Sequence, residues 1–121
     1  MAYIEVSPKS TEAQQRLTEE CAVLMSMLHR AAKDVLGIPD YDIIVELNQC
    51  TVIAFNPESI KANATPDVVI KIGTSDHDFQ PKFQELCDCI VNSWKSHFGD
   101  QLTMELCINL IDTWGCNIDF D

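Results

Sequence analysis

Two short segments of this chain contain closely spaced histidine, cysteine or aspartate residues that could bind a metal ion. Asp76-His77-Asp78 sets three potential metal ligands side by side, but aspartates just before an apolar helical pattern are typical helix caps. Cys87 and Cys89 would project about 200° apart on a helix, so they cannot chelate one metal ion together. His29 and His97 lie in helical patterns with no evident cysteine or aspartate partner for nucleophilic catalysis. The sequence therefore predicts no metal site and no cofactor.

Two lysines are candidates for binding an anionic substrate. Lys9 directly follows the first predicted strand and would stand at the mouth of a pocket, although a solvated turn lysine is the commoner state. Lys71 lies in the apolar run Val68–Ile72, where burying an ammonium group is costly without a partner. The alternative for Lys71 is a side chain that reaches solvent from the strand end.

The charge balance limits the partners of the protein. Eight Lys+Arg against nineteen Asp+Glu give a net charge of −11, which repels phosphate backbones and anionic lipid surfaces. We therefore expect no nucleic acid and no membrane partner, since no apolar run approaches the roughly 18 residues of a membrane helix. The start of the chain lacks a secretion signal, which predicts a cytoplasmic protein with free thiols rather than disulfides.

The elements that must position these residues follow from apolar spacing. Residues 1–55 predict a first β-α-β unit made of a strand, a helix, a strand and a short hairpin arm: residues 2–7, Thr11–Val35, residues 41–47 and Thr51–Phe55. Thr11 and Gln14 fit a capping box at the start of this helix, and Gly37 and Pro39 end it. The polar, proline-flanked residues 56–66 form the connection to the second half.

Residues 67–121 predict a second β-α-β unit. Its elements are a strand, a helix capped by Asp76 or Asp78 and closed by Gly99, a long strand and a short terminal strand: Val68–Ile72, the helix to Phe98, Leu102–Ile111 and Trp114–Phe120. The 121 residues have room for one core, so we predict a single domain, 1–121.

Right-handed crossovers in both units place the two helices on one face of a sheet. The predicted class is α+β: a β-α-β-β-α-β two-layer sandwich with two helices on one face of a mixed four-stranded sheet, whose strand order the sequence leaves open. The other face is bare. It is either polar, as in ferredoxin-like domains, or apolar and buried against other subunits.

Several segments match one family in order and spacing. Residues 36–57 contain a Gly-x-Pro helix stop, a strand and an Ala-Phe arm, and Val69–Gly73 ends in Lys-Ile-Gly. Ile108-Asn109, followed by Asp112 and then Gly115-x-Asn117, matches a closing strand and hairpin. These segments resemble the macrophage migration inhibitory factor branch of the tautomerase superfamily. Related proteins such as 5-carboxymethyl-2-hydroxymuconate isomerase fit about as well.

The resemblance implies a tautomerase-like fold, a homotrimer with active sites at subunit edges, and a small carbonyl or apolar ligand. In that family the amine of an N-terminal proline, with a lowered pKa, moves a proton on a keto-enol substrate. Here Ala2 follows Met1, so the catalytic base would be the Ala2 amine, and only if Met1 is removed. The resemblance also implies substrate-binding roles for Lys71, Asn109 and Asn117, with Lys9 nearby.

Other positions depart from the family. Ile38, Cys107 and Cys116 stand where that branch has a lysine, a tyrosine and a tryptophan. Together with Ala2, they predict that the keto-enol tautomerase or isomerase activity is altered or lost. The alternatives are a non-catalytic trimeric module that binds a small molecule or a protein, and a ferredoxin-like regulatory domain.

Overall fold

The spacing of apolar residues sets the elements seen in a computed structural model, which describes residues 1–111. In chain order its strands and α-helices are β1 (Ala2–Pro8), α1 (Thr11–Glu19), α2 (Cys21–Leu36), β2 (Ile43–Leu47), α3 (Pro57–Lys61), β3 (Val68–Thr74), α4 (Phe83–Phe98) and β4 (Met104–Leu110). Short 3₁₀ helices, Asp40–Asp42 and His77–Lys82, precede β2 and α4. The predicted strand Trp114–Phe120 lies outside the described residues.

The four strands form one mixed sheet in the order β2-β1-β3-β4. β1 is parallel to β2 and antiparallel to β3, and β3 is parallel to β4. Alternate residues of β1 and β3 are buried beneath the helices, as the period of two in a strand requires. The predicted α+β class, with two helical segments covering one face of a mixed four-stranded sheet, is confirmed.

The core lies between the sheet and helices α1, α2 and α4. Its fully buried side chains come from every one of these layers and include Ile4, Leu17, Leu28, Ile70 and Phe98. Trp94 of α4 is also buried, and its indole Nε1–H donates a hydrogen bond to the carbonyl oxygen of Leu102 at 2.9 Å. Within the described part of the chain, no helix is long and apolar enough to cross a membrane.

The first helix differs from its prediction in two ways. It is broken at Glu20, whose backbone leaves helical geometry at φ −104° and ψ 25°. At this position the Glu20 carboxylate accepts hydrogen bonds from Arg16 and, at 2.7 Å, from His97 at the end of α4. The helix cap is Ser10 rather than Thr11, since the Ser10 hydroxyl accepts from the Ala13 N–H at 3.1 Å.

The second helical segment follows its prediction more closely. Asp76 is the cap, and its side chain accepts from the Asp78 N–H at 3.0 Å, but it caps the 3₁₀ turn that leads into α4. Gly99 ends α4 with a φ of 60°, a conformation that favours glycine.

The predicted hairpin arm Thr51–Phe55 is wrong for the isolated chain. No residue of the arm is in a strand, and the side chain of Ile53 is 96% exposed. β2 ends at Leu47, and the following turn is tied to β1 by hydrogen bonds from the Asn48 N–H to the Val6 carbonyl and from the Cys50 thiol to the Pro8 carbonyl. Among residues 1–111 the arm is therefore paired with no strand, despite its β-forming composition.

The Trp94 hydrogen bond gives a test of the core. In Trp94→Phe the ring packing is partly kept, but the buried Leu102 carbonyl loses its donor. We expect the free energy of unfolding to fall by about 1–3 kcal/mol, the usual cost of an unsatisfied buried acceptor. Urea denaturation followed by circular dichroism measures this loss. A loss below about 0.5 kcal/mol, the range of ordinary surface changes, would show that water or a shifted side chain replaces the donor.

Candidate functional site

Two of the residues implicated in chemistry, Ala2 and Asn109, lie at one end of the sheet, which we call the N-terminal end. β1 and β2 begin there, and β3 and β4 finish there, because β1 runs antiparallel to β3. The cross-strand register places Tyr3 beside Ile44 on one side and Gly73 on the other, and Gly73 beside Asn109. These four residues form one row on the sheet face that no helix covers, which we call the open face.

Ala2 lies at this end but does not face an open pocket. It is paired with Ile43 in the parallel register of β1 and β2, and it is fully buried with the helix-facing core residues. Met1 is 48% exposed and extends beyond the strand. The Ala2 nitrogen, which would be the catalytic amine after removal of Met1, therefore lies where the chain enters the core. The helices cover Ala2 on one side of the sheet.

Asn109 is the predicted substrate-binding residue that the fold brings nearest to Ala2. It is exposed on the open face in the same row as Tyr3. Ile111, just beyond β4, donates its N–H to the Thr74 carbonyl at 2.7 Å. Its side chain covers Gly73, where an added Cβ would come within 2.9 Å of it. Because Gly73 has no side chain, the side chain of Ile111 can pack over this row.

Lys71 is exposed on the open face, which answers the question of its burial in the apolar run. It lies between Glu5 of β1 and Cys107 of β4 in the register. Opposite charges on adjacent strands stabilise a sheet modestly. Lys71 is about 10 Å along the sheet from Ala2, the rise of three strand residues, and so stands beside the row rather than in it.

Lys9 is at the opposite end of β1 from Ala2. The seven residues of β1 separate the two ends by about 23 Å. The Lys9 N–H donates to the Asp67 carbonyl at 2.8 Å, which ties this turn to the start of β3. Lys9 and Ala2 of one chain therefore cannot contact the same small ligand. Asn117 and Cys116 lie outside the described residues.

The remaining departures from the family are placed as follows. Ile38 is half-buried against the core, and Cys107 is half-buried on the open face. Among residues 1–111, no group of three histidine, cysteine or acidic side chains is placed to hold a metal ion. Cys87 and Cys89 are both half-buried, and burial is the main cause that raises the pKa of the Cys87 thiol.

Sequence reasoning missed a hydrogen bond on the open face. The Tyr3 hydroxyl donates to Glu46 Oε2 at 2.7 Å, joining β1 to β2 next to Ala2. The hydrogen bond to the carboxylate is the main cause that raises the pKa of Tyr3, with smaller contributions from burial and from the charges of Glu46 and Glu5. No sequence signal identifies this pair, because the residues are 43 positions apart and meet only through the parallel register.

The open face as a whole is more polar than apolar. Among residues 1–111 its apolar or aromatic members are Tyr3, Ile44, Val69 and Ile111, whose side chain covers Gly73. The other side chains on this face are charged or polar, or are small: Glu5, Ser7, Glu46, Lys71, Gly73, Glu105, Cys107 and Asn109. The face therefore meets the polar criterion set for a ferredoxin-like domain.

Comparison with known proteins identifies the fold. No protein-family model and no curated protein matches the chain. A protein of unknown function from Vibrio cholerae O1 biovar eltor str. N16961 superimposes with a TM-score of 0.64 at 8% identity, covering 98% of this chain and 84% of that one. The Q0 fused 4-OT wild type symmetric trimer gives 0.62 at 10% identity, over 97% and 89%. FG41 malonate semialdehyde decarboxylase inhibited by 3-bromopropiolate gives 0.54 at 17% identity, over 98% and 91%.

These neighbours include 4-oxalocrotonate tautomerase fusions, so the chain has the fold of the tautomerase superfamily. This confirms the expectation drawn from residues 36–57 and Val69–Gly73. At these identities the likeness concerns the fold alone.

The Tyr3 hydrogen bond can be tested by titration. Tyr3 and Tyr41 are the two tyrosines of the chain, so a Tyr41→Phe background reports Tyr3 alone. In that background, Glu46→Gln should move the midpoint of tyrosinate absorbance to lower pH, toward the ordinary value of about 10. Glu105→Gln removes the same charge from the same face and should leave the midpoint nearly unchanged. Equal shifts in both variants would contradict a direct bond.

The raised pKa also fixes the sign of the stability effect. The neutral phenol is favoured in the folded state, so the bond stabilises the fold below the ordinary tyrosine pKa and is lost as pH rises through the folded value. The difference in unfolding free energy between the Tyr41→Phe protein and its Glu46→Gln derivative should therefore shrink at alkaline pH.

Proposed function

We propose that this protein is a tautomerase-like homotrimer that has lost the keto-enol chemistry and binds a small apolar or carbonyl compound. The observation that carries the proposal is Ala2. It replaces the proline that the resemblance implies, and it is fully buried among core residues instead of lining an open site. The neighbours supply the fold on which the proposal rests.

Loss of chemistry follows from what general base catalysis needs. A base must be unprotonated near neutral pH and within hydrogen-bond reach of the substrate proton. With Met1 in place, Ala2 is fully buried among core residues, so its nitrogen does not reach a substrate on an open surface. The replacement of a lysine by Ile38 and of a tyrosine by Cys107 removes the groups that would polarise the substrate.

A second candidate is an isomerase that uses the Ala2 amine, exposed by removal of Met1. The position of Asn109 supports it, since this amide is exposed at the N-terminal end of the sheet, in the row next to Ala2. Lys71 lies farther along the sheet, in the row of Glu5, and could assist the Ala2 amine only from there. The two candidates differ in turnover and in the state of the first residue.

Activity assays separate these candidates. We expect no acceleration of phenylpyruvate or hydroxyphenylpyruvate tautomerisation above the buffer rate, because the base and its partners are missing. Mass spectrometry of the protein purified from its source should be run first, since retained Met1 excludes the Ala2 mechanism. Turnover by a protein without Met1 that falls at least about tenfold in Asn109→Ala, and is unchanged in Asn63→Ala on the distant turn, would overturn the proposal.

The homotrimer is supported by three features. The neighbours include 4-OT fusions described as trimers. β2 and β4 are edge strands whose outer backbone groups have no partner strand in the described chain. The arm Thr51–Phe55 exposes Ile53 and Phe55 and has the composition of a strand. Pairing of an arm with an edge strand of another copy would satisfy both groups.

The ferredoxin-like alternative gains from the polar open face, and it requires a monomer or a dimer. Its test is therefore the mass in solution. The net charge of −11 supports the absence of nucleic-acid and anionic membrane partners in either case, and we propose a cytoplasmic location.

Light scattering should give about 41 kDa, three times the 13.6 kDa of the chain. Ile53→Lys places a charge on the exposed arm and should weaken the trimer at least about tenfold, since burying an unpaired ammonium is costly. Val23→Lys is the control, because Val23 is 43% exposed on the outer side of α2. A monomeric or dimeric mass for the unaltered protein would favour the ferredoxin-like reading instead.

A further inference from the structure

A groove separate from the row at the N-terminal end runs between α2 and the edge strand β2, with a volume of about 750 Å³. We call it the α2–β2 groove. One wall is a stripe of α2 with helical spacing: Ser26, His29, Arg30 and Lys33. The other wall is formed by Ile43 and Val45, which point to the helix side of the sheet. The volume is in the range of sites for small organic molecules.

One end of the groove is built by ionic contacts. Lys33 Nζ lies 3.0 Å from a carboxylate oxygen of Asp40, and His29 Nε2 lies 3.3 Å from the Asp40 carbonyl oxygen. A carbonyl only accepts, so this histidine nitrogen carries the donated proton. These contacts fix the 3₁₀ turn before β2 against the helix and largely use the charge of Lys33.

Besides Lys33, the cation Arg30 lines the groove. It is exposed toward the groove, and no hydrogen bond or ion pair joins its guanidinium to another residue within 1–111. It is one of two arginines in a chain of net charge −11, and the other, Arg16, is bound to Glu20. A guanidinium with a free fork of donors matches a carboxylate in two parallel hydrogen bonds.

The surroundings of Arg30 select the charge of the ligand. Asp34, one helical turn from Arg30, also lines the groove, so a second negative charge on the ligand would meet repulsion. Met25, Ile43 and Val45 offer apolar surface in the same groove. A single carboxylate with an alkyl body fits both features, whereas phosphate fits neither.

We propose that the α2–β2 groove binds a small monocarboxylate, with its carboxylate on Arg30 and its hydrocarbon body against Ile43 and Val45. The groove contains none of Ala2, Lys9, Lys71 and Asn109, and its walls belong to one chain. The inference therefore goes beyond the proposed function and does not depend on the state of the N-terminus.

The test uses hexanoate as the probe and the neutral hexanamide as its matched control, titrated by amide NMR shifts. Hexanoate should shift the amides of Arg30 and Val45 at millimolar concentrations, and hexanamide should bind at least about tenfold more weakly. Inorganic phosphate should cause no saturable shift of these amides. Equal binding of acid and amide, saturable binding of phosphate, or no hexanoate binding would each overturn the proposal.

Two variants locate the contacts. Arg30→Gln should weaken hexanoate binding roughly 10- to 100-fold, the effect of losing a charge-assisted hydrogen bond. Lys82→Gln makes the same change of charge on an exposed residue outside the groove and should leave binding within about twofold. Val45→Thr should weaken hexanoate several-fold through the apolar wall. Unchanged binding in Arg30→Gln would contradict the assignment, whatever the light-scattering and turnover results are.

Discussion

The pairing of β1 with two neighbours at once is the constraint on which the rest of this structure depends. β1 joins the two β-α-β units, because it is parallel to β2 of its own unit and antiparallel to β3 of the other. Its inward residues Ile4 and Val6 are fully buried beneath the helices, which fixes the face of every strand in register with it. The same pairing brings the start of the chain to the row that contains Asn109.

Within residues 1–111, the sheet leaves one face, two strand edges and one exposed arm without a partner. The open face, the outer edges of β2 and β4 and the exposed arm Thr51–Phe55 have no partner among the described residues. Polar side chains lower the cost of an open face in water, but they do not replace missing backbone hydrogen bonds at an edge. The proposed trimer would supply partners for the edges, whereas the proposed ligand groove lies on the helix side of the sheet.

Particular residues show why parts of the fold could not be read from the sequence. The apolar spacing from Ala13 to Val35 runs through Glu20 without a break, yet the backbone leaves helical geometry at Glu20, where its carboxylate meets Arg16 and His97. His97 is 77 positions from Glu20 in the sequence, so the local sequence pattern does not predict this contact. For the arm Thr51–Phe55 the sequence predicts a strand that the structure does not contain. Its composition favours a strand, but a strand needs a neighbour. β-propensity reflects packing and pairing more than an intrinsic backbone preference.

The sequence by itself determined most of the local elements and the α+β class, because periods of two and 3.6 residues, caps such as Asp76 and stops such as Gly99 act over a few residues. The family of folds was implied by the resemblance of residues 36–57 and Val69–Gly73. It also determined that Ala2 stands where a proline was implied. Only the tertiary structure decided the strand order, the exposure of Lys71, the separation of Lys9 from Ala2, and the meetings of Tyr3 with Glu46 and of Lys33 with Asp40. Strand register and helix packing join residues far apart in the chain, and many pairings are compatible with the same local pattern until one core excludes water from all of them at once.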